Sequence, residues 1–597
     1  MPLSQTLPGT QNTDLVTFTI KVNGTAINTQ YQVKSIGVIN ELNRIPSATL
    51  MIYDGDAAKQ DFAVSNEPTF APGTDIEILA GYHSDETSVF KGIIVHHKLK
   101  VRNDKSAVLI LTCRDKAIKM SLARKNKYYY NQKDSDVAQT IIGTYGLDKD
   151  IEDTSATLPS IVQFDCSDWD FLISRMEANG KFCMVNAGKI TAKKPVTSGS
   201  TVLDAVFGAT MLEFDADINP LTQYTGVTAK TWDYSNQQIN SVQANDPGFD
   251  ENGNLSSTTL AGVSGVSEYD LFVGEEIKSD ELQNWANARF GLSKLSRCRG
   301  RVRLRGYGQI NPFDLINIGG VGDRFNGKVF VSGVRHEIVD GIWTTDIQFG
   351  IANELFTRTP DVSSPTAADL LPAVQGLQIG IVTKLQGDPD GEHRIQVRLP
   401  IVDPNEQGIW MRVACLDAGN NRGAFFRPEI NDEVIVGFVN NDPRHAVVLG
   451  MLNSSAKPAP LTASDQNDQK GYVSRSGMKM MYDDSAKSIV VQTPAGKKIT
   501  VSEQTGEMSL EDENGNSIKM TAASINIQSA ADITLNATGN LTLQAVNITL
   551  SPSASFSASA GGASISAGSG SAAISAPTVS VSGSGTTTIS GGMVMIN

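Results

Sequence analysis

Six histidines, five cysteines and one tight group of aspartates are the side chains from which this 597-residue chain could build a catalytic or metal site. His96 and His97 are neighbours on an expected strand, so they project to opposite faces and cannot easily share an ion. His336-Glu337 opens like a zincin pair, but Asp340 stands where the second histidine would have to be. His83, His393 and His445 are isolated. Cys113, Cys166, Cys183, Cys298 and Cys415 are odd in number and widely spaced, with no Cys-x-x-Cys. They read as five buried free thiols of a protein folded in a reducing compartment. Asp165, Asp168 and Asp170 crowd together, whereas glycoside cleavage needs two carboxylates facing across a cleft. Beside Ser167 they suit a helix N-terminus, where the backbone dipole favours negative charge. In Gly320-Val321-Gly322 a phenylalanine, Phe325, takes the place of the third glycine of a dinucleotide loop, and strands follow instead of a helix. Neither a Walker loop nor a G-x-S-x-G elbow occurs. The expectation is a non-enzymatic protein with no catalytic residue, no metal site and no cofactor.

Charge and composition narrow the partners. Asp and Glu number 64 against 50 Lys and Arg, a formal net charge of −14. Phosphate backbones are held by clustered basic residues, so nucleic acid is not expected. No stretch approaches the 18–20 apolar residues of a membrane helix. Met1–Ile20 lacks a basic segment followed by an apolar run, so no signal peptide is expected, and folding in the cytoplasm is.

The elements that carry these residues are mostly strands. Val16–Val22, Ser47–Ile52 and Ala107–Thr112 alternate apolar and polar residues. Three helices stand out. One follows Ser135 with Val137, Ile141, Ile142 and Tyr145 on one face and Gly146 at its end. A second starts at Ser167, with Asp170 at capping-box spacing and Trp169, Leu172, Ile173 and Met176 as its apolar stripe. A third spans about Asp280–Ser296. Residues 236–268 are rich in Gly, Asn and Ser and read as a surface loop, and 359–373 as a proline-bearing linker. Gln378–Lys384, Arg394–Leu399, Gly408–Ala414, Asp432–Phe438 and His445–Leu449 are five short strands, enough for a small closed barrel such as an OB-fold. Its aromatics, Trp410, Phe425, Phe426 and Phe438, sit among acidic residues, which argues against a single-strand nucleic-acid platform.

From Thr521 onward Asp532 is the one charged residue, and Ser, Thr, Ala and Gly dominate. Composition alone would suggest a flexible tail. Yet apolar pairs two residues apart recur at Ile525/Ile527, Ile533/Leu535, Leu541/Leu543, Ile548/Leu550, Phe556/Ala558, Ala563/Ile565, Ala572/Ile574, Val579/Val581, Thr587/Ile589 and Val594/Ile596. Each pair puts two side chains on the same face of a strand, and the spacing leaves room for one strand and one tight turn. A single-chain solenoid of this composition would have a thin core and open edges. Three intertwined chains would share the inward residues along one axis and leave no lateral edge, rising roughly 45 Å at about 4.7 Å per layer. The lack of ionised groups suits a rod that passes through a bilayer.

Four segments in order resemble the spike proteins of contractile injection systems, which include type VI secretion VgrG proteins, extracellular contractile injection spikes and phage tail hubs. Ser167-Asp168-Trp169-Asp170-Phe171-Leu172 is similar to that family's helix start. Val321–Gly327 with Val331–His336 is similar to its hub strand pair. Gly376–Gly380, Arg394–Pro400, Pro428–Val434 and Asn441-Asp442-Pro443 are similar to its OB domain. Met481–Asp484 through Pro494-Ala495-Gly496 to Asn514-Gly515-Asn516 is similar to its needle entry. The resemblance implies a mainly β homotrimer: a paired β-barrel hub over 1–370, an OB-fold neck over 371–456, a linker over 457–476 and a triple-stranded β-helix needle over 477–597. It implies a hub docked on a hexameric inner tube within a baseplate, a PAAR-like tip protein at the needle end, effectors as cargo and transient contact with a target membrane. Such a particle is assembled in the cytoplasm and expelled. The end of the chain has no His-x-His iron site, so Met593, Val594, Met595, Ile596 and Asn597 are expected to seat a separate cap. Two other readings share parts of the pattern. A trimeric fibre or adhesin has the rod without the hub. A phage-type cell-wall hydrolase needs an enzyme domain for which 454–476 leaves no room.

Overall fold

The computed structural model describes residues 15–102, 107–561, 563–568 and 570–596. The chain is mainly β and divides into two compact units, Met1–Leu452 and Asn453–Asn597.

The first unit is built on a thirteen-stranded sheet. Strand alternation sorts its side chains: in Ser47–Tyr53, Ala48, Leu50 and Ile52 point inward and their neighbours outward, as a period of two requires. The sheet wraps two separate cores. One gathers Ile20, Ile36, Leu50, Ile78, Ile94 and Leu111; the other gathers Val302, Leu304, Ile316, Val331 and Ile347. The two halves join where Gly327–Val339 pairs antiparallel with Val33–Glu41. Of Val321–Gly327, expected in a strand pair, residues 321–326 lie in the turn between Leu315–Gly319 and Gly327–Val339, and Gly327 opens the second strand. Gly320 and Gly322 take left-handed backbone there, which glycine adopts without a Cβ penalty.

Four α-helices stand on this frame: α1 (Asp134–Gly143), α2 (Asp168–Ala178), α3 (Ser257–Ser264) and α4 (Ser279–Leu295). Helix α2 begins as its sequence requires. Ser167 Oγ accepts the Asp170 N–H at 3.1 Å, and the Ser167 hydroxyl donates to the Asp170 carboxylate at 2.5 Å, a reciprocal cap. Trp169, Leu172, Ile173 and Met176 are buried against Val137, Ile141 and Ile142 of α1. Helix α1 starts two residues earlier than expected, at Asp134. The Asp136 carboxylate accepts the Lys133 N–H at 3.3 Å, while Ser135 is buried and donates its N–H to Thr154 Oγ1. Residues 236–268 are not one loop. They contain the strand Gln238–Gln243 and α3, capped by Ser256 Oγ on the Thr259 N–H at 3.1 Å. The Ser-Thr-Thr start of α3 hides a helix behind residues of low helix propensity.

The end of the first unit is a closed five-stranded barrel of β1 (Gln378–Lys384), β2 (Ile395–Arg398), β3 (Ile409–Val413), β4 (Glu433–Phe438) and β5 (Ala446–Met451). Val382, Ile395, Val397, Met411, Val434, Val436 and Val448 fill it and are at most 1 % exposed. Gly380 is needed for closure, because a Cβ there would lie 2.5 Å from Val397 Cγ1.

The second unit opens with an antiparallel meander of seven short strands, β6 (Gln469–Val473), β7 (Lys479–Asp483), β8 (Ser488–Gln492), β9 (Lys498–Ser502), β10 (Glu507–Glu511), β11 (Ser517–Met520) and β12 (Ile525–Gln528), each hydrogen-bonded to the next. Strand β6 falls inside the stretch expected to be linker. The winding between chains expected from residue 477 is replaced over β7–β12 by pairing within one chain. The turns supply the reason. Gly477, Gly496, Gly506 and Gly515 all have positive φ, and the Asp512 carboxylate accepts the N–H groups of Asn514 and Asn516, both at 2.9 Å. Such turns reverse the chain on itself. A second meander, Ser555–Ala560, Ala563–Gly568 and Ser571–Ser575, follows further on. Among the described residues, 529–554 and 576–596 form no strand.

Candidate trimerisation surface

Register places the meander's apolar residues in two columns on one face. Tyr472 pairs with Met480, Met480 with Val491, Val491 with Ile499, Ile499 with Leu510, Leu510 with Ile518 and Ile518 with Ile527. Beside them run Tyr482, Ile489, Val501, Met508, Met520 and Ile525. Seven strands at about 4.8 Å make a strip roughly 29 Å long. Met520 is half-buried, and the other large side chains on it are 38–68 % exposed. The opposite face carries Ser488, Thr500, Glu507, Ser509, Glu511 and Lys519, with Lys519 Nζ 2.7 Å from the Glu511 carboxylate. A sheet with one apolar face becomes stable when a second layer covers that face. Within this unit no layer does so among the described residues.

The octad pairs behave in the same way. Ile533, Leu535, Leu541, Leu543, Ile548 and Leu550 are all exposed and lie outside any strand. Phe556 pairs with Ala567, Ala558 with Ile565, and Ile565 with Ile574, giving the second meander an apolar face too. Met593, Val594, Met595 and Ile596 are exposed. Asn597 lies outside the described residues.

The residues singled out for chemistry have structural partners. Asp168 is buried. It receives Lys125 Nζ at 2.6 Å, Tyr145 OH at 2.7 Å and Gln163 Nε2 at 2.9 Å. Burial pushes its carboxyl up, but these hydrogen bonds outweigh burial and hold it below the usual carboxylate range. Asp165 and Asp170 do not join it in a cleft: Asp170 caps α2, and Asp165 Oδ2 accepts from Ser364. His97 bridges Ser65 Oγ at 2.7 Å and the Phe70 carbonyl at 3.0 Å. His336 is buried beside Thr345 Oγ1 at 3.0 Å, and desolvation lowers its pKa to about 4. Among the described residues no group of His, Cys, Asp and Glu has metal-site geometry. The cysteines correct one expectation: Cys113, Cys183 and Cys298 are buried, but Cys166 is half-buried and Cys415 is exposed on a loop of the barrel. Sequence spacing cannot tell a barrel loop from its core, so Cys415 was grouped with the others.

Comparison with known proteins decides the family. A family model described as the Alg8 N-terminal domain matches residues 12–340, more than half of the chain. The chain belongs to the Alg8 N-terminal domain family. After this Alg8-type segment, residues 378–452 match the type VI secretion system/phage-baseplate injector OB domain, and 488–548 match the phage baseplate V C-terminal trimerisation domain. The latter begins on β8 and covers most of the apolar strip. The type VI secretion system spike protein VgrG1b of Pseudomonas aeruginosa is 25 % identical over 257 residues, 40 % of this chain and 34 % of that one. The chain thus spans about a third of the length of the curated relatives it matches. A 43 kDa tail protein of a Shewanella oneidensis prophage is 11 % identical, with 57 % of this chain and 98 % of that one covered at a TM-score of 0.44. An E. coli type VI secretion component is 12 % identical, with 72 % and 99 % covered at a TM-score of 0.37. Beyond its Alg8-type segment the chain is thus similar to VgrG spike proteins.

Proposed function

We propose that the chain is the structural spike of a contractile injection machine, a homotrimer that punctures a target membrane to deliver effectors. The observation that carries the reading is the uncovered apolar strip of β6–β12, which coincides with the trimerisation-domain match. Two further copies of the same face would complete its core. Residues 1–370 act as the hub on a hexameric inner tube within the baseplate, 371–456 as the neck, and 477–597 as the needle. In this division β6 belongs to the needle although it lies within 457–476. Met593–Asn597 seat a PAAR-like cap. The chain does no catalysis and holds no cofactor; the work comes from contraction elsewhere in the particle. Assembly takes place in the cytoplasm before expulsion. Sedimentation of the full chain is expected to give three times 63.9 kDa. A monomer that persists at micromolar concentration overturns the reading.

A further inference from the structure

A cavity of about 400 Å³ lies in the first unit between α2 and α4. Phe182, Phe249, Trp285, Leu292 and Leu355 supply apolar walls, and Glu177 and Arg289 supply polar ones. Arg289 sits on α4 four residues after Trp285 and three before Leu292, so the helix turns all three toward the same side. Its side chain is 9 % exposed, and its Nη1 is buried with no hydrogen-bond partner among the described residues. The contact it does make is with the face of the Tyr269 ring, 5.9 Å from the guanidinium carbon. Glu177, a carboxylate on the cavity wall whose charge acts on Arg289, takes its hydrogen bond from the backbone: it accepts the Phe356 N–H at 2.8 Å. Burial also pushes the Glu177 carboxyl up, toward its neutral form.

A buried guanidinium nitrogen without a hydrogen-bond partner is costly, and a planar carboxylate is the partner that a guanidinium's fork of donors fits. A pocket of this volume, with apolar walls and polar groups such as Arg289, Lys194 and Asn284 set among them, has the make-up of a small-ligand site. We propose that this cavity binds a carboxylate carried on an apolar body, the carboxylate on Arg289 and the body against Trp285, Phe249 and Leu292. Such a group can come from a small amphipathic acid or from the free C-terminus of a chain ending in apolar residues.

Isothermal titration of the full chain tests this with decanoate against decanol, and with a short peptide ending in Leu-Phe as the free acid against its amide. Binding of decanoate alone points to a small acid; binding of the peptide acid alone points to a chain terminus. In either case Arg289→Met is expected to weaken binding at least tenfold, while the melting temperature stays level or rises because an unpaired buried charge has gone. The proposal is overturned if neither acid binds, if decanol or the amide binds as tightly as its acid, or if Arg289→Met leaves affinity unchanged. Should Arg289→Met not fold, Arg289→Lys decides: a severalfold loss supports the bidentate site, and unchanged affinity refutes it.

Discussion

The barrel β1–β5 and the meander β6–β12 are made of the same material, short strands with apolar residues at every second position. In the barrel those residues are at most 1 % exposed at positions such as Val397 and Val436; in the meander their counterparts other than Met520 stand at 38–68 %. Alternation in sequence therefore fixes which face of a strand is apolar but leaves open what covers it. The barrel closes on itself, with β1 pairing to both β2 and β4. The meander ends in edges, and in the proposed trimer its cover comes from other copies of the chain.

The comparison breaks most visibly if charge is placed on the two apolar faces. Val397→Asp buries an unpaired carboxylate and is expected to unfold the barrel at any protein concentration, a loss of several kcal/mol. Ile499→Asp with Met508→Asp is expected to leave the first unit folded and turn the trimer into a monomer, read by sedimentation and circular dichroism. Truncation sharpens the contrast with a smaller effect. Met411→Ala in the barrel is expected to cost about 2–5 kcal/mol, independent of protein concentration. Met508→Ala is expected to lower a concentration-dependent melting temperature, because its burial is between chains.

Acid separates the two units next. His336 has its pKa lowered to about 4 by burial, while an unfolded histidine titrates near about 6.5. Its contribution is present above the unfolded value and is lost as pH falls from about 6.5 toward 4. Asp168 is held below the usual carboxylate range, so its contribution is lost at lower pH, as pH falls from the unfolded value of about 3.9 through the folded one. Melting of the first unit should fall over these ranges, and His336→Gln should flatten the upper one. The segment after Thr521, with Asp532 as its one ionisable side chain, should not respond. The smallest effect belongs to the exposed pair Lys519–Glu511: Lys519→Ala is expected to leave the melting temperature nearly unchanged.

Much of this was legible in the residues. All five barrel strands lie where alternation puts them, because each is flanked by turn residues and each apolar position has a single interior to enter. Helix α2 was readable from Ser167 and Asp170, because a reciprocal cap leaves a spacing signature. Helix α3 was not, because Ser256 caps a run of small polar residues with almost no stripe. The meander was misread as winding between chains, since an apolar pair two residues apart looks the same in both arrangements. Gly477, Gly496, Gly506 and Asn514-Gly515 mark the chain-reversing turns of the meander with positive-φ glycines, whereas Gly539, between the pairs at Ile533 and Leu541, has no positive φ. Arg289 and its cavity carried no sequence signal, because nothing in a helix pattern distinguishes a buried arginine from an exposed one.

The self-paired meander stands immediately before the segment that lacks partners of its own. Once three apolar strips meet, the tails that follow are tethered side by side at effective concentrations on the order of millimolar. Their mutual winding ceases to be a three-body collision among loose strings and becomes a zippering that starts from one fixed end. The meander is thus the selvedge of the woven rod, the hem from which the remaining threads are laid in register.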